Sequence, residues 1–189
     1  YVYVADTGNS RIIMFDKTGN FVYSWGTYGK NPGMFQIPVS INSDHRGELF
    51  VGDAELQSIQ LFDTKGIYRD EIDSSLTEGA SFSGIKSLAF DSQDNLYAIS
   101  TDSKILKYSN IGKFLNFYGS IGIEEGRFIN PSAIAIDSKD NIYVADTGNH
   151  RIQKFDSNGN FLLSFGTEGS KQGEFEQPVG LAIDATDKI

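Results

Sequence analysis

The sequence predicts an all-β chain built as a run of four propeller blades. Three observations predict it: a repeat of 46–47 residues, strands that alternate with period two inside each repeat, and turn residues at fixed places between them.

The repeat comes first because its register is kept by independent markers. Phe15, Phe62, Tyr108 and Phe155 share one spacing, and so do Phe35, Phe82, Phe128 and Phe175. Asp44, Asp91, Asp137 and Asp184 keep it again, as do Pro38, Ile85, Pro131 and Pro178. The repeats run at about 1–38, 39–85, 86–131 and 132–178, with 179–189 as the innermost strand of a further or composite blade.

Inside a repeat, Phe161-Leu-Leu-Ser-Phe165 and its counterpart Phe21-Val-Tyr-Ser-Trp25 alternate sides as two-faced strands must. Asn158-Gly159-Asn160 and Thr18-Gly19-Asn20 precede them, which is the chemistry of tight hairpins. The fourth repeat divides into strands at about 133–137, 141–146, 151–156 and 161–166, followed by a long Gly-rich connection. Small residues recur on the innermost strand: Ser40, Ser87, Ala133 and Gly180, then Asn42, Ala89, Ala135 and Ala182. Blades converging on an axis leave room for little else there, while Ile41, Leu88, Ile134 and Leu181 between them fill the wedge. Phe35, Phe82, Phe128 and Phe175 are expected to seal the seams between blades, each ring contributing roughly 1.5–3 kcal/mol by burial.

Composition narrows the function classes. The net charge is −9, which disfavours the phosphate backbone of nucleic acids. There is no Cys, hence no disulfide, thiolate ligand or Cys nucleophile. No apolar run approaches the ~20 residues of a membrane helix. Tyr1 already stands in a strand-like run, with no signal peptide in view, and both ends fall mid-pattern. An acidic, Cys-free, Ser- and Asn-rich chain is compatible with a secreted or cell-surface protein, the cytoplasm being the alternative.

The stretch Asn141-Ile-Tyr-Val-Ala-Asp-Thr-Gly-Asn-His-Arg-Ile-Gln-Lys-Phe155-Asp156 closely resembles the NHL repeat, as does Tyr3-Val-Ala-Asp-Thr-Gly-Asn-Ser-Arg-Ile12. The connection Phe165-Gly-Thr-Glu-Gly-Ser-Lys-Gln-Gly-Glu-Phe175, then Pro178, is similar to the family too. The second repeat keeps Asp53 but loses the Arg, and the third has Ser100 and Lys104 instead. The resemblance implies a β-propeller, commonly six-bladed, that engages macromolecules or ligands on one face. The first repeat lacks an innermost strand. The preferred expectation is therefore part of a six-bladed ring, with a closed four-bladed ring as the alternative.

Asp6 with Arg11, and Asp146 with Arg151, are read as structural pairs that tie a turn by charge-assisted hydrogen bonds. Asp91-Ser-Gln-Asp-Asn95 and Asp137-Ser-Lys-Asp-Asn141 offer oxygen ligands but lack a calcium loop's distal Glu, and are read as turns. His45 and His150 lie in different repeats, too few for a zinc site, so no metal, cofactor or catalytic residue is expected. The lyases of this resemblance use several His around zinc, and its lactonases use acidic residues and Asn around the channel. Neither set is present here.

What remains is a face. Alternation puts the second-to-third-strand turns and the long connections at one end, where loops on a rigid scaffold concentrate binding residues. Tyr28, Lys30, Ile123, Glu124, Glu125, Arg127, His150, Glu168 and Lys171 lie there. The expected function is a non-enzymatic scaffold that binds a protein, glycan or surface polymer. A lyase or lactone hydrolase completed by blades outside this segment is the alternative, and an RNA-binding domain the third reading.

Overall fold

The computed structural model describes residues 1–74 and 81–189. The chain forms two compact units, Tyr1–Lys86 and Ser87–Ile189. In the first unit, β1 (Val2–Asp6), β2 (Arg11–Phe15) and β3 (Phe21–Trp25) make a three-stranded sheet. Beside it in sequence, β4 (Pro38–Ser43), β5 (Leu49–Asp53), β6 (Ser58–Phe62) and β7 (Tyr68–Asp73) make a four-stranded one. The second unit holds β8 (Ile85–Phe90), β9 (Leu96–Ser100), β10 (Ile105–Tyr108) and β11 (Phe114–Tyr118), the first two residues of β8 falling in the other unit. It also holds β12 (Ala133–Ile136), β13 (Ile142–Asp146), β14 (Arg151–Phe155) and β15 (Phe161–Phe165). Each sheet is an antiparallel meander in chain order, and the first indeed lacks the innermost strand.

Aspartates build the hairpins. Asp44, Asp91 and Asp137 each close the turn after a first strand, and Asp184 closes the equivalent turn at the end of the chain. Their own N–H donates to the carbonyl four residues on, and one carboxylate oxygen accepts from backbone N–H groups two and four residues on. Asp16, Asp63 and Asp156 do the same after third strands. A carboxylate committed to two backbone donors makes the turn a property of local sequence. The 91–95 and 137–141 stretches are thus turns, as the sequence suggests.

The core lies between sheets. In the first unit Ile12, Met14 and Trp25 of one sheet meet Leu49, Val51 and Phe62 of the next, with Phe35 among them and fully buried. In the second, Ala89, Tyr97, Ile99 and Ile105 meet Ile134, Ile142, Val144 and Phe155, with Phe128 in the equivalent place. Phe82 is buried as well, and Phe175 packs half-buried against Ala133, Tyr143, Ala145 and Ile152.

A glycine seats three of these rings. Gly26, Gly119 and Gly166 end the fourth strands at φ +97°, +83° and +92°, and a Cβ there would stand 2.5, 2.4 and 2.3 Å from Phe35, Phe128 and Phe175. Backbone and ring approach so closely that only glycine fits.

Residues 179–184, expected as a strand, form no ladder. Among the described residues no second strand lies beside them to pair with. They still occupy a blade-like position: Leu181 and Ile183 pack on the last sheet, and Asp187 accepts from Ser138 N–H and Oγ at 2.9 and 2.6 Å. Asp140 accepts from Ser92 N–H and Oγ in the same manner one repeat earlier, both at 2.8 Å.

Candidate functional site

The turns between second and third strands and the long connections interlock at one end of each unit. The Thr-Gly-Asn turns of the first and last sheets are single 3-10 turns, closed by Ser10 and His150 in left-handed conformation. Thr7 and Thr147 donate through Oγ1 to the carbonyls of Pro38 and Pro178, each at 2.8 Å. Ser10 Oγ reaches the Gln36 carbonyl at 3.1 Å, and Gln177 N–H points at His150 Nδ1 at 3.4 Å. Each turn is thus fastened to the connection that follows it.

The preceding connection is fastened by a buried acid. Asp146, with no exposed surface, accepts from Ile129 N–H at 2.8 Å, Arg151 Nε at 2.8 Å, Asn149 Nδ2 at 2.8 Å and Gln153 Nε2 at 2.9 Å. Arg151 also donates through Nη2 to the carbonyls of Glu124 and Arg127. Asp53 has no Arg and is satisfied instead by N–H groups of Gln36, Ile37, Glu55 and Leu56. Asp6 holds Arg11 at 2.7 Å at a more exposed site, where Arg11 hydrogen bonds and Asn9 hydrogen bonds hold its carboxyl below the usual carboxylate range. In the third repeat Lys104 does not stand alone: it pairs with Asp102 at 2.6 Å, and the Ser100 hydroxyl donates to the same carboxylate.

Two further residues escape sequence reasoning. Gln60 and Gln153, on third strands and almost fully buried, each clamp a connection from both sides. Gln60 accepts from Gly33 N–H at 2.7 Å and donates to the Met34 carbonyl at 2.7 Å. Gln153 does the same with Gly126 N–H at 3.0 Å and the Arg127 carbonyl at 2.7 Å. The signal was there in sequence: Gln stands two residues before the repeat Phe in the second and fourth repeats, whereas Ile13 and Leu106 stand there in the others.

With the backbone held, side chains are left at the tips. Tyr28 is 73% exposed, Ile121 69% and Ile123 68%. Glu124 and Arg127 pair loosely at 3.5 Å, both exposed, and Glu125 is exposed beside them. Glu168 and Lys171 are exposed on the last connection, and Lys171 N–H donates to Glu174. His150 is half-buried and fastened to Gln177. Lys30 lies on the wall of an open groove in the first unit. Tyr28 with Lys30 therefore sits in one unit, and Glu124, Glu125, Arg127, His150, Glu168 and Lys171 in the other. Among the described residues no group of three or more His, Asp or Glu is arranged to hold a metal, and no helix is long and apolar enough to cross a membrane.

Residues 128–155, from the seam-sealing Phe128 to the repeat Phe155, match the NHL repeat. The chain is similar to the NHL repeat over that stretch. It is 50% identical over 36 residues to the protein brain tumor of Drosophila melanogaster, which is 19% of this chain and 4% of that protein. Solved structures show the fold. RRP9 WD40 repeats superpose with a TM-score of 0.67 at 15% identity, covering 86% of this chain and 46% of that one. Virginiamycin B lyase from Staphylococcus aureus superposes at 0.65 and 16%, covering 86% and 50%. The fold is a β-propeller, and the chain spans about half the length of the solved structures it matches.

Proposed function

We propose that this chain is a binding scaffold that engages a protein, glycan or surface polymer through its long-loop face. One observation carries the reading. Buried Gln60 and Asp53 fasten the 26–37 connection at Gly33, Met34, Gln36 and Ile37, and buried Gln153 and Asp146 fasten the 119–130 connection at Gly126, Arg127 and Ile129, while Tyr28, Ile121 and Ile123 project from the tips. Connections held at these points have less to order on binding, which lowers one cost of association. Aromatic and aliphatic anchors amid charged neighbours are the composition of recognition surfaces. The candidate binding residues are Tyr28, Lys30, Glu124, Glu125, Arg127, His150, Glu168 and Lys171. The likeness to the lyase, at 16% identity, bears on the fold alone.

The test compares the two ends of the same sheets. A photoreactive side chain placed at Tyr28 or Glu125 should crosslink a discrete partner, and one at Thr18 or Ser157, in the opposite turns, should not. Loss of that product on Arg127→Ala supports the face. Equal crosslinking from both ends contradicts it.

A further inference from the structure

In the second unit, the turn between β14 and β15 is also where the last sheet meets the one before it. Tyr97 of β9 and Lys107 of β10 both donate to the Ser157 carbonyl, at 3.4 and 3.1 Å, and the Lys107 ammonium stands over the Tyr97 ring at 4.8 Å. Two residues on, Gly159, at φ +82°, lies so close to the Tyr118 ring that a Cβ there would overlap it.

The first unit repeats this contact between its own two sheets. Tyr3 donates to the Thr64 carbonyl at 3.3 Å, and Gly66, at φ +76°, lies against the Trp25 ring. The residue before the glycine differs: Lys65 in the first unit, exposed Asn158 in the second. Thr18 and Ile111 hold that place in the other two turns, and the sequence has a single Asn-Gly pair, Asn158-Gly159.

That pair has a chemistry of its own. Glycine has no Cβ to keep its nitrogen away from the preceding side chain. Once hydroxide takes the Gly159 amide proton, the nitrogen can attack Cγ of Asn158. A C–N bond forms, the bond from Cγ to the side-chain nitrogen breaks, and that nitrogen takes a proton from water and leaves as ammonia. Water then opens the resulting succinimide at either carbonyl, giving aspartate or isoaspartate. The reaction consumes one water and exchanges no electrons with another reagent.

We propose that Asn158 is a site of spontaneous deamidation whose isoaspartate product loosens the β12–β15 sheet from the β8–β11 sheet. Isoaspartate routes the main chain through the former side chain and adds a methylene just ahead of Gly159, which displaces the glycine from Tyr118. The folded turn is the gate. Gly159 N–H donates to the Asp156 carbonyl at 3.0 Å, and Asn158 N–H to the Asp156 carboxylate at 2.9 Å, so ring closure waits for the turn to open. The turn lies at the end opposite the long connections, so the reaction bears on the hold between sheets and not on the proposed binding face.

The test incubates the full chain at mildly alkaline pH and maps its peptides by mass spectrometry, with fragmentation that separates isoaspartate from aspartate. Asn158 should lose its amide about tenfold or more faster than Asn20, which is equally exposed but followed by Phe21. The same chain unfolded in urea should react at Asn158 about tenfold or more faster than the folded chain. The aged chain should melt about 2–4 °C below the fresh one. Asn158→Lys, which copies the first unit's turn, should melt at the same temperature before and after incubation. Asn158→Asp, which adds the charge without lengthening the main chain, should melt with the fresh chain. Retention of the Asn158 amide, or loss no faster than at Asn20, would overturn the site. Equal rates in the folded and unfolded chains would overturn the gate. Equal softening of the aged chain and the aged Asn158→Lys chain would overturn the loosening.

Discussion

Arg151 donates from Nε to the carboxylate of Asp146 at 2.8 Å, and Asp146 has no exposed surface at all. The sister pair, Arg11 with Asp6, has the same spacing and a 2.7 Å contact, but its side chains are 42% and 22% exposed. The same motif is thus a core element in one repeat and a surface pair in the other. Three further donors, from Ile129, Asn149 and Gln153, converge on Asp146 and tie the preceding connection to its sheet.

That difference sets the cost of removing each arginine. Arg151→Met leaves the buried Asp146 with its other donors but without its cation, and takes one of two donors from each of the Glu124 and Arg127 carbonyls. It should cost about 1–3 kcal/mol in urea unfolding. Arg11→Met should cost about 1 kcal/mol or less, since exposed pairs contribute little. Equal costs would mean that burial does not distinguish the two.

Glycines offer a paired comparison. Gly119 and Gly126 both have positive φ, +83° and +76°, but only the Gly119 Cβ would collide, 2.4 Å from the Phe128 ring, while Gly126 has open space. Gly126→Ala should cost about 1–2 kcal/mol from left-handed backbone alone. Gly119→Ala should add about 1–3 kcal/mol of overpacking to that. Thermal unfolding of the two variants side by side measures the excess.

Acid should weaken the fold from a definite direction. The Asn160 side chain and backbone hold the Asp156 carboxyl below the usual carboxylate range, and Thr18 and Asn20 do the same for Asp16. At Asp137 burial pushes upward, but hydrogen bonds from Asn141, Lys139 and Tyr143 outweigh it. A carboxyl depressed in the folded state contributes stability that is fully present above its unfolded value of about 3.9. That contribution is lost as pH falls through the folded value. Stability should therefore hold level from neutrality down to about pH 5 and fall below about pH 4. Asp137→Asn should flatten that fall in a pH series of urea midpoints, and an unaltered slope would show that these turns do not drive it.

Much of this was legible in the sequence, and the reason is periodicity. A shared register names equivalent positions, so the strands of the fourth repeat fall within one residue of their expected limits. Phe35 and Phe128 stand in equivalent places for the same reason. The Asp turns were legible because a carboxylate and the N–H groups it binds lie four residues apart. The clamping role of Gln60 and Gln153 was not, because although both stand two residues before the repeat Phe, their partners are backbone atoms 26 or 27 residues upstream. The strand expected at 179–184 failed because a strand needs a neighbour, whereas its packing and its Asp184 turn need only what the repeat already supplies.

The account stands on aromatic rings from the long connections filling the space between facing sheets. Urea unfolding of Phe35→Ala and Phe128→Ala, followed by far-ultraviolet circular dichroism beside Phe21→Ala at a position 62% exposed, tests this most directly. Each seam variant should lose about 3–5 kcal/mol, and Phe21→Ala far less. Losses at Phe35 and Phe128 no larger than at Phe21 would contradict it.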